Sequence, residues 1–226
     1  MIIYNLFPIL AGPFSHWPKH FSRVAAMGFD WVFVNPIQQL GASRSLYSIV
    51  DPFSFNPALL SPARDGSPDE QVRRVVDEAR NAGLKVMIDL VLNHCAIDSP
   101  LTREHPEWFV RESNGRIANA SCLHERKKVV WKDLAQFDYR HTRDPEGLYC
   151  HCVRIVEFLI SLGFTGFRCD AAYQLPRQFW HRLIHEIKSR HPHACFVAET
   201  LGCTADQTKQ TARAGFSHVF NSSKYW

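Results

Sequence analysis

Charged side chains follow three apolar, strand-like segments of this 226-residue chain. Asp89 lies near the end of the first segment, Arg168 and Asp170 close the second, and Glu199 closes the third. Residues two apart on a strand point to the same face, so Arg168 and Asp170 are expected to be in contact. An adjacent guanidinium favours the ionised form of a carboxyl group, which is the form that a nucleophile needs.

Glu199 has a different predicted environment. It ends an apolar run with no cation beside it in the sequence, so burial is expected to raise its pKa and keep it protonated. A charged carboxylate beside a protonated carboxyl suits glycosidic-bond cleavage, and a separation of roughly 5 Å would give retention through a covalent intermediate. Each acid alone could equally be a helix cap or a structural ion pair, but three at successive strand ends favour catalysis.

Strand-like and amphipathic helical segments alternate along the chain, which is typical of a parallel sheet flanked by helices. Strands are predicted at residues 2–7, 29–34, 85–91, 165–170, 195–199 and 217–221. Helices are predicted near residues 16–27, 68–82, 145–162, 176–190 and 204–214. Ser67 and Pro68 predict one helix start, and Gly28, Gly83 and Gly163 each predict a helix end.

One segment, residues 95–144, interrupts this alternation with Pro, Asn, Gly, Ser and many charges. An unstructured loop of that length is uncommon in a compact domain, so we predict a small inserted subdomain. The barrel portion is then residues 1–94 and 145–226.

The amino-acid composition limits the expected partners and cellular location of the protein. Acidic and basic residues, 22 and 26 in number, are mixed without a basic stripe, so nucleic acid is not the expected partner. No signal peptide and no membrane-spanning run is recognisable. Seven scattered cysteines favour reduced thiols in the cytoplasm. Cys150 and Cys152, two apart on a predicted helix, point to different sides, which argues against a metal site there.

The charged segments resemble the signatures of the α-amylase family of glycoside hydrolases, family 13. Asp89-Leu-Val-Leu-Asn93-His94 is similar to the first signature, Gly166-Phe-Arg168-Cys-Asp170-Ala to the second and Phe196-Val-Ala-Glu199 to the third. The resemblance covers nearly the whole chain. It implies an α/β fold, the (β/α)8 TIM barrel, and activity on α-1,4-linked glucose oligomers or polymers such as maltodextrins.

The resemblance also implies residue roles. Asp170 would be the nucleophile, Glu199 the acid/base, Arg168 the partner that orients Asp170, and His94 a hydrogen-bond donor to the sugar. Asp89 would belong to the same substrate-binding set.

Tyr47 lies in Leu46-Tyr47-Ser-Ile-Val-Asp51-Pro-Phe-Ser-Phe-Asn56, which is similar to the family's loop after the second strand. The resemblance makes Tyr47 a platform under a sugar ring, with its hydroxyl in water.

The resemblance implies a candidate Ca²⁺ site at Asn93 and Asp133. These two residues supply only two of the six to eight oxygen ligands that Ca²⁺ takes, so a purely structural, hydrogen-bonded role is an equal alternative. No glycine-rich phosphate loop is present in the sequence, and no other cofactor is expected.

The opening segment, Ile3-Tyr-Asn-Leu-Phe7, together with Val34-Asn-Pro-Ile37 and Lys127-Lys128, is similar to maltosyltransferase-like members of the family. Hydrolases and transferases share the covalent intermediate, so the sequence leaves open whether water or a sugar attacks it.

The family's fourth signature, a His-Asp pair that supplies a third carboxylate, is missing from the sequence. With about 250 residues in a complete barrel, we expect a barrel that is incomplete after its sixth strand, with two open edges and marginal stability. A missing C-terminal portion or a complementary chain would complete it. The alternative is an inactive barrel fragment that binds glucan or serves as an assembly partner. A third interpretation, a metal-dependent hydrolase that uses His94 and the cysteines, is disfavoured because the spacing of these residues offers no suitable ligand set.

Overall fold

The structure is a computed structural model that describes residues 1–62, 66–124 and 127–221. Its strands are β1 (Ile3–Leu6), β2 (Trp31–Val34), β3 (Gln38–Leu40), β4 (Ile49–Phe55), β5 (Lys85–Leu90), β6 (His94–Ala96), β7 (Asn119–His124), β8 (Lys127–Gln136), β9 (Gly166–Cys169), β10 (Cys195–Thr200) and β11 (His218–Asn221). Its helices are α1 (Pro8–Ala11), α2 (Pro18–Ala26), α3 (Pro68–Asn81), α4 (Leu101–Glu104), α5 (Pro145–Ser161), α6 (Arg177–Arg190) and α7 (Ala205–Ala212).

The main sheet is parallel and has six strands in the order β1-β2-β5-β9-β10-β11. Helices α2, α3, α5, α6 and α7 alternate with these strands along the chain, so the predicted βα repeat and incomplete TIM barrel are confirmed. Asp89 on β5 is in register with Arg168 on β9, and β10 is the next strand of the sheet. The topology therefore places the charged strand ends side by side.

Alternating residues of the strands face two different apolar clusters. Val86 and Ile88 belong to the main core, which also contains buried residues of α2, α3, α5 and α6. Trp31, Met87 and Val197 form a second cluster on the other face of the sheet. This period-2 alternation leaves both faces of the sheet apolar, as expected for a barrel wall.

Gly166 at the start of β9 is required by this second cluster. A Cβ atom there would lie 2.5 Å from Trp31 Cζ3 and 2.9 Å from Met87 Cβ. The absence of a side chain lets these two large residues fill the inside of the curved sheet next to the strand that carries Arg168.

The predicted helix boundaries are confirmed where capping chemistry is strong. Ser67 and Glu70 form a capping box at the start of α3, with Pro68 at the first helical position. Gly83 follows the same helix with φ 81°, a left-handed conformation that glycine adopts without strain.

Between β5 and α5 the chain forms a separate antiparallel sheet with the order β6-β8-β7. The segment that contains this sheet packs on the barrel through Trp108, Phe109 and Phe137, which belong to the main core. A folded insertion was expected in this segment, although β6 begins at His94, one residue before the predicted boundary. The division into a barrel portion and a subdomain stays a prediction.

The sequence analysis missed the antiparallel pair β3–β4, with Tyr47 in the connection between the two strands. Strand β3 has only three residues, and Pro52 interrupts β4, so neither strand shows a clear alternating pattern. The short helices α1 and α4 were missed for the same reason, since four residues are too few for a helical period to show.

Strands β1 and β11 lie at the two ends of the described sheet. Residues 222–226, where the sequence analysis placed the end of the barrel segment, lie outside the described residues. The predicted marginal stability stays a prediction. No helix in the described part of the chain is long and apolar enough to cross a bilayer.

Candidate active site

Arg168 joins the carboxylates at the strand ends. Its Nη1 atom donates to Asp89 Oδ1 at 2.8 Å and to Asp170 Oδ1 at 2.7 Å, while Nη2 lies 3.9 Å from Glu199 Oε2. The expected contact between Arg168 and Asp170 is therefore confirmed. One guanidinium thus contacts acidic side chains that follow or end three neighbouring strands, in a buried setting where such contacts are strong.

Glu199 is held by backbone donors. Ala171 N donates to Glu199 Oε2 at 2.8 Å, and Leu201 N donates to Oε1 at 3.1 Å. Burial raises the pKa of Glu199, as expected from the sequence, and the nearby Asp170 charge adds to the rise while Arg168 opposes it. Ala171 presents its N–H from a left-handed conformation, with φ 44°.

A chain of polar side chains supports Asp89 from the side of β1 and β2. Asn5 Nδ2 donates to Asn35 Oδ1, Asn35 Nδ2 donates to the Tyr47 hydroxyl, and Tyr47 donates to Asp89 Oδ2 at 2.8 Å. The network therefore links Arg168 to the ends of β1 and β2 as well.

Above these groups lies a cavity of about 380 Å³. Its lining includes Tyr47, His94, Arg168, Asp170 and Glu199, so five of the six predicted catalytic and substrate-binding residues face one space. Asn93 and Asp133 also line it, together with Ser45, Cys122, Trp131, Leu134, Ala171, Tyr173, Gln174 and Leu201.

Two expectations about this cavity need correction. Asp89 was placed among the substrate-binding residues, but it is 0% exposed and is absent from the cavity lining. Its carboxylate is occupied by Arg168 and Tyr47, so it positions those side chains from below. The Tyr47 hydroxyl was expected in water, but it is bonded to Asp89 and Asn35, so only its ring is free to meet a sugar.

His94 was expected to donate a hydrogen bond to a sugar, and the geometry reverses that direction. Its Nε2 lies 3.2 Å from the Tyr47 carbonyl oxygen, which can only accept, so Nε2 carries the proton. Burial lowers the pKa of His94 and keeps the ring neutral. Its Nδ1 atom is buried without a partner among the described residues, so it is an acceptor that no donor satisfies there.

The candidate calcium pair fits the hydrogen-bonded alternative better. Asn93 Nδ2 donates to Gln174 Oε1 at 2.9 Å, and the Asn93 carbonyl accepts from Phe137 N. Over residues 1–62, 66–124 and 127–221, no group of three or more His, Cys, Asp or Glu side chains is arranged to hold a metal ion. No third acidic side chain therefore joins Asp133 there, and the assignment of Ca²⁺ to Asn93 and Asp133 stays a prediction.

The cysteines are free thiols. Cys150 is exposed and Cys152 is buried, so they lie on different sides of α5, as the spacing predicted. Cys122 lines the cavity, but burial raises the pKa of its thiol.

Comparison with known proteins shows what this arrangement is similar to. The sequence model of the glucanotransferase domain of glycogen debranching enzyme matches residues 1–115. α-1,4-Glucan:maltose-1-phosphate maltosyltransferases from Arcanobacterium haemolyticum and Mycolicibacterium smegmatis are each 32% identical, over 78% and 92% of this chain. The solved structure of a maltogenic α-amylase from Thermotoga neapolitana matches 98% of the chain at 25% identity, with a TM-score of 0.78.

The chain belongs to the α-amylase family. It spans 27% and 31% of the length of the two maltosyltransferases and covers 49% of the matched amylase chain.

Several residues of this α-amylase-family site escaped the sequence analysis. Asn35 directly follows β2. A polar residue directly after a strand is the pattern that indicated Asp170, so the same pattern could have identified Asn35 as a site residue. Trp131 and Leu201 are exposed apolar residues at the cavity, and only the fold shows that they lie together. Ala171 acts through its backbone, which leaves no signal in the residue type.

The buried charge cluster predicts a large stability effect for Asp89→Ala. The variant leaves the Arg168 guanidinium and the Tyr47 hydroxyl without their buried acceptor, so the free energy of unfolding should fall by about 3–5 kcal/mol. Chemical denaturation measures the loss. Asp77→Ala, which removes an exposed i,i+3 ion pair with Arg80, is the matched control and should remain close to wild type. Equal stability of the two variants would contradict a supporting role for Asp89.

Proposed function

We propose that this chain carries the catalytic site of a retaining glycoside hydrolase or transglycosylase that acts on α-1,4-linked glucans. The observation that supports it best is the pair Asp170 and Glu199, which face one cavity, share Arg168 and have different environments. The maltosyltransferase relatives are named for α-1,4-glucan, and the solved neighbours include α-amylases.

In the first step, Asp170 attacks the anomeric carbon of the bound glucose unit. The bond to the glycosidic oxygen breaks, and Glu199 protonates that oxygen as it departs. The product is a glycosyl ester on Asp170 and a shortened glucan with a free hydroxyl.

In the second step, Glu199 removes a proton from water or from a sugar hydroxyl. The resulting oxygen nucleophile attacks the anomeric carbon, and the ester bond to Asp170 breaks. The two inversions restore the original α configuration. Contact of both carboxyl groups with one guanidinium favours the short separation of retaining enzymes, roughly 5–5.5 Å.

The sugar would be held by aromatic faces and by a few polar groups. Tyr47 offers its ring, because its hydroxyl is occupied, and His94 lines the same cavity. Trp131 and Leu201 add apolar surface at the same cavity, where they would pack on the C–H faces of a glucan. No step of this proposal needs a cofactor.

A cytoplasmic location is part of the proposal. Its support is the set of seven free cysteines, which suits a reducing compartment.

The proposed roles of Asp170 and Glu199 predict a large loss of turnover when either carboxyl group is replaced by an amide. Asp170→Asn and Glu199→Gln should each lower turnover of maltoheptaose by about 10²–10⁴-fold or more, measured by chromatography of the products. Asp77→Asn, an exposed acid outside the site, should leave turnover unchanged. Glucan binding by the unsubstituted chain without any product would instead support the inactive, glucan-binding alternative.

Reactions of α-maltosyl fluoride with azide distinguish the nucleophile, Asp170, from the acid/base, Glu199. In Asp170→Ala, azide should replace fluoride directly and give the inverted β-maltosyl azide. In Glu199→Ala, fluoride needs no proton to leave, so the ester on Asp170 should form and azide should then give the α-azide. The same anomer from both variants would refute the assigned roles.

The pH profile follows from the raised pKa of Glu199. The general acid must be protonated, so kcat/KM for maltoheptaose should fall as pH rises through the pKa of Glu199, by about tenfold per pH unit beyond it. With α-maltosyl fluoride as donor, Glu199→Gln should lack this alkaline decline. If the alkaline decline persists in Glu199→Gln, another group causes it. Asp89 is one such group, because burial also raises the pKa of Asp89.

Calcium removal should have no effect. Because the Asn93 amide is bonded to Gln174 and no cluster of three His, Cys, Asp or Glu side chains forms in the described residues, excess EGTA should leave the Tm and the turnover of maltoheptaose unchanged. A calcium-dependent rise in Tm that Asp133→Asn abolishes would restore the metal assignment.

A further inference from the structure

Helix α6 carries two histidines, His181 and His185, one turn apart on a side that is exposed to solvent. The opposite side of the helix is buried in the main core, through Trp180, Leu183, Ile184 and Ile187. Neither histidine lines the cavity above Arg168, so the pair lies apart from the candidate active site. The proposed glucan chemistry therefore gives these two side chains no role.

The geometry of the two imidazole rings suits one shared ligand. Residues i and i+4 of a helix project side by side, with Cβ atoms about 5–6 Å apart. The rings of His181 and His185 are parallel to within 8°, and their centroids are 6.4 Å apart. An ion about 2.0–2.1 Å from one nitrogen of each ring fits this spacing, because both exposed side chains have room to rotate toward it.

Both rings also have nitrogen atoms that the protein does not use. Across residues 1–62, 66–124 and 127–221, neither imidazole makes a hydrogen bond or an ion pair. By contrast, His191, just after the end of the same helix, lies 2.9 Å from a carboxylate oxygen of Glu157. A neutral imidazole has one nitrogen with a free lone pair, and this is the atom that binds a metal ion. The pair can therefore offer two nitrogen ligands to one ion.

The ligand type decides which class of ion fits. Imidazole nitrogen suits Ni²⁺, Cu²⁺ and Zn²⁺, whereas Mg²⁺ and Ca²⁺ take oxygen ligands. The described residues contain no metal-binding group of three His, Cys, Asp or Glu side chains, so the protein supplies two ligands and water the rest. Arg182 is paired with Glu146, but Lys188 contacts only the neutral Ser217 hydroxyl, so some positive charge remains nearby. A modest affinity is expected.

We propose that His181 and His185 form a surface site for one divalent transition-metal ion, such as Ni²⁺ or Zn²⁺, with water completing its coordination. The site goes beyond the proposed glucan chemistry and does not depend on it. The ion would join two successive turns of α6, so its binding requires that this helix is folded.

Calorimetric titration of Ni²⁺ into the full chain, prepared without a histidine tag, tests the site. His181→Ala and His185→Ala should each weaken Ni²⁺ binding by about tenfold or more, because two linked ligands bind an ion more tightly than either ligand alone. His193→Ala is the matched control, since His193 is exposed beyond the end of α6 and has no histidine four residues away. It should bind Ni²⁺ as the wild-type chain does.

A displaced pair tests the spacing of the two ligands. Ser189→His, added to His181→Ala, places a histidine four residues after His185 on the same helix. This double variant should recover most of the Ni²⁺ affinity that His181→Ala loses, a recovery that a folding defect would not allow. Co²⁺ should bind the wild-type chain more weakly than Ni²⁺ does, and Mg²⁺ should not bind to the pair.

Equal Ni²⁺ affinity in the wild-type chain and in both single variants would overturn the proposal and assign the binding to other groups, such as the exposed thiol of Cys150. A double variant that binds Ni²⁺ as weakly as His181→Ala would contradict the spacing argument. Neither result depends on the turnover of maltoheptaose, so the metal site and the proposed function can fail separately.

Discussion

The charge balance around Arg168 is the constraint on which the rest of the site depends. One buried guanidinium contacts Asp89 and Asp170 and lies close to Glu199, so three acids share one cation. Burying two uncompensated negative charges would be costly, and the cost is reduced when a carboxyl group keeps its proton. Burial raises the pKa of Asp89 and of Glu199. The rise in both pKa values therefore has one main cause, the burial of three acids around a single cation.

Supporting contacts reach this cluster from strands that carry no acid in it. Asn5 and Asn35 extend the network through Tyr47 to Asp89, so the ends of β1 and β2 help to fix the orientation of Arg168. A small cavity can keep its geometry only if the groups below it are themselves fixed by packing and hydrogen bonds. The buried network of Asn5, Asn35, Tyr47, Asp89 and Arg168 meets this condition.

The fold and the acidic residues could be predicted because they rest on local patterns. Strands such as β5 and β9 are continuous apolar runs that end in charged residues, and the start of α3 has strong capping chemistry at Ser67. The direction of the His94 hydrogen bond and the burial of Asp89 could not be predicted. Both depend on Tyr47, which is distant in sequence and lies in a hairpin whose strands are too short to show a period.

The turn after β9 fixes the positions of both proposed reacting groups. Asp170 lines the cavity, Ala171 has a left-handed conformation and donates to Glu199, and Tyr173 lines the same cavity. A non-glycine residue in that conformation costs of order 1–3 kcal/mol, which the surrounding contacts must offset. Any change in this turn would move Asp170, the Glu199 donor and Tyr173 together. The same few residues therefore set both the orientation of the reacting groups and the shape of the cavity beside them.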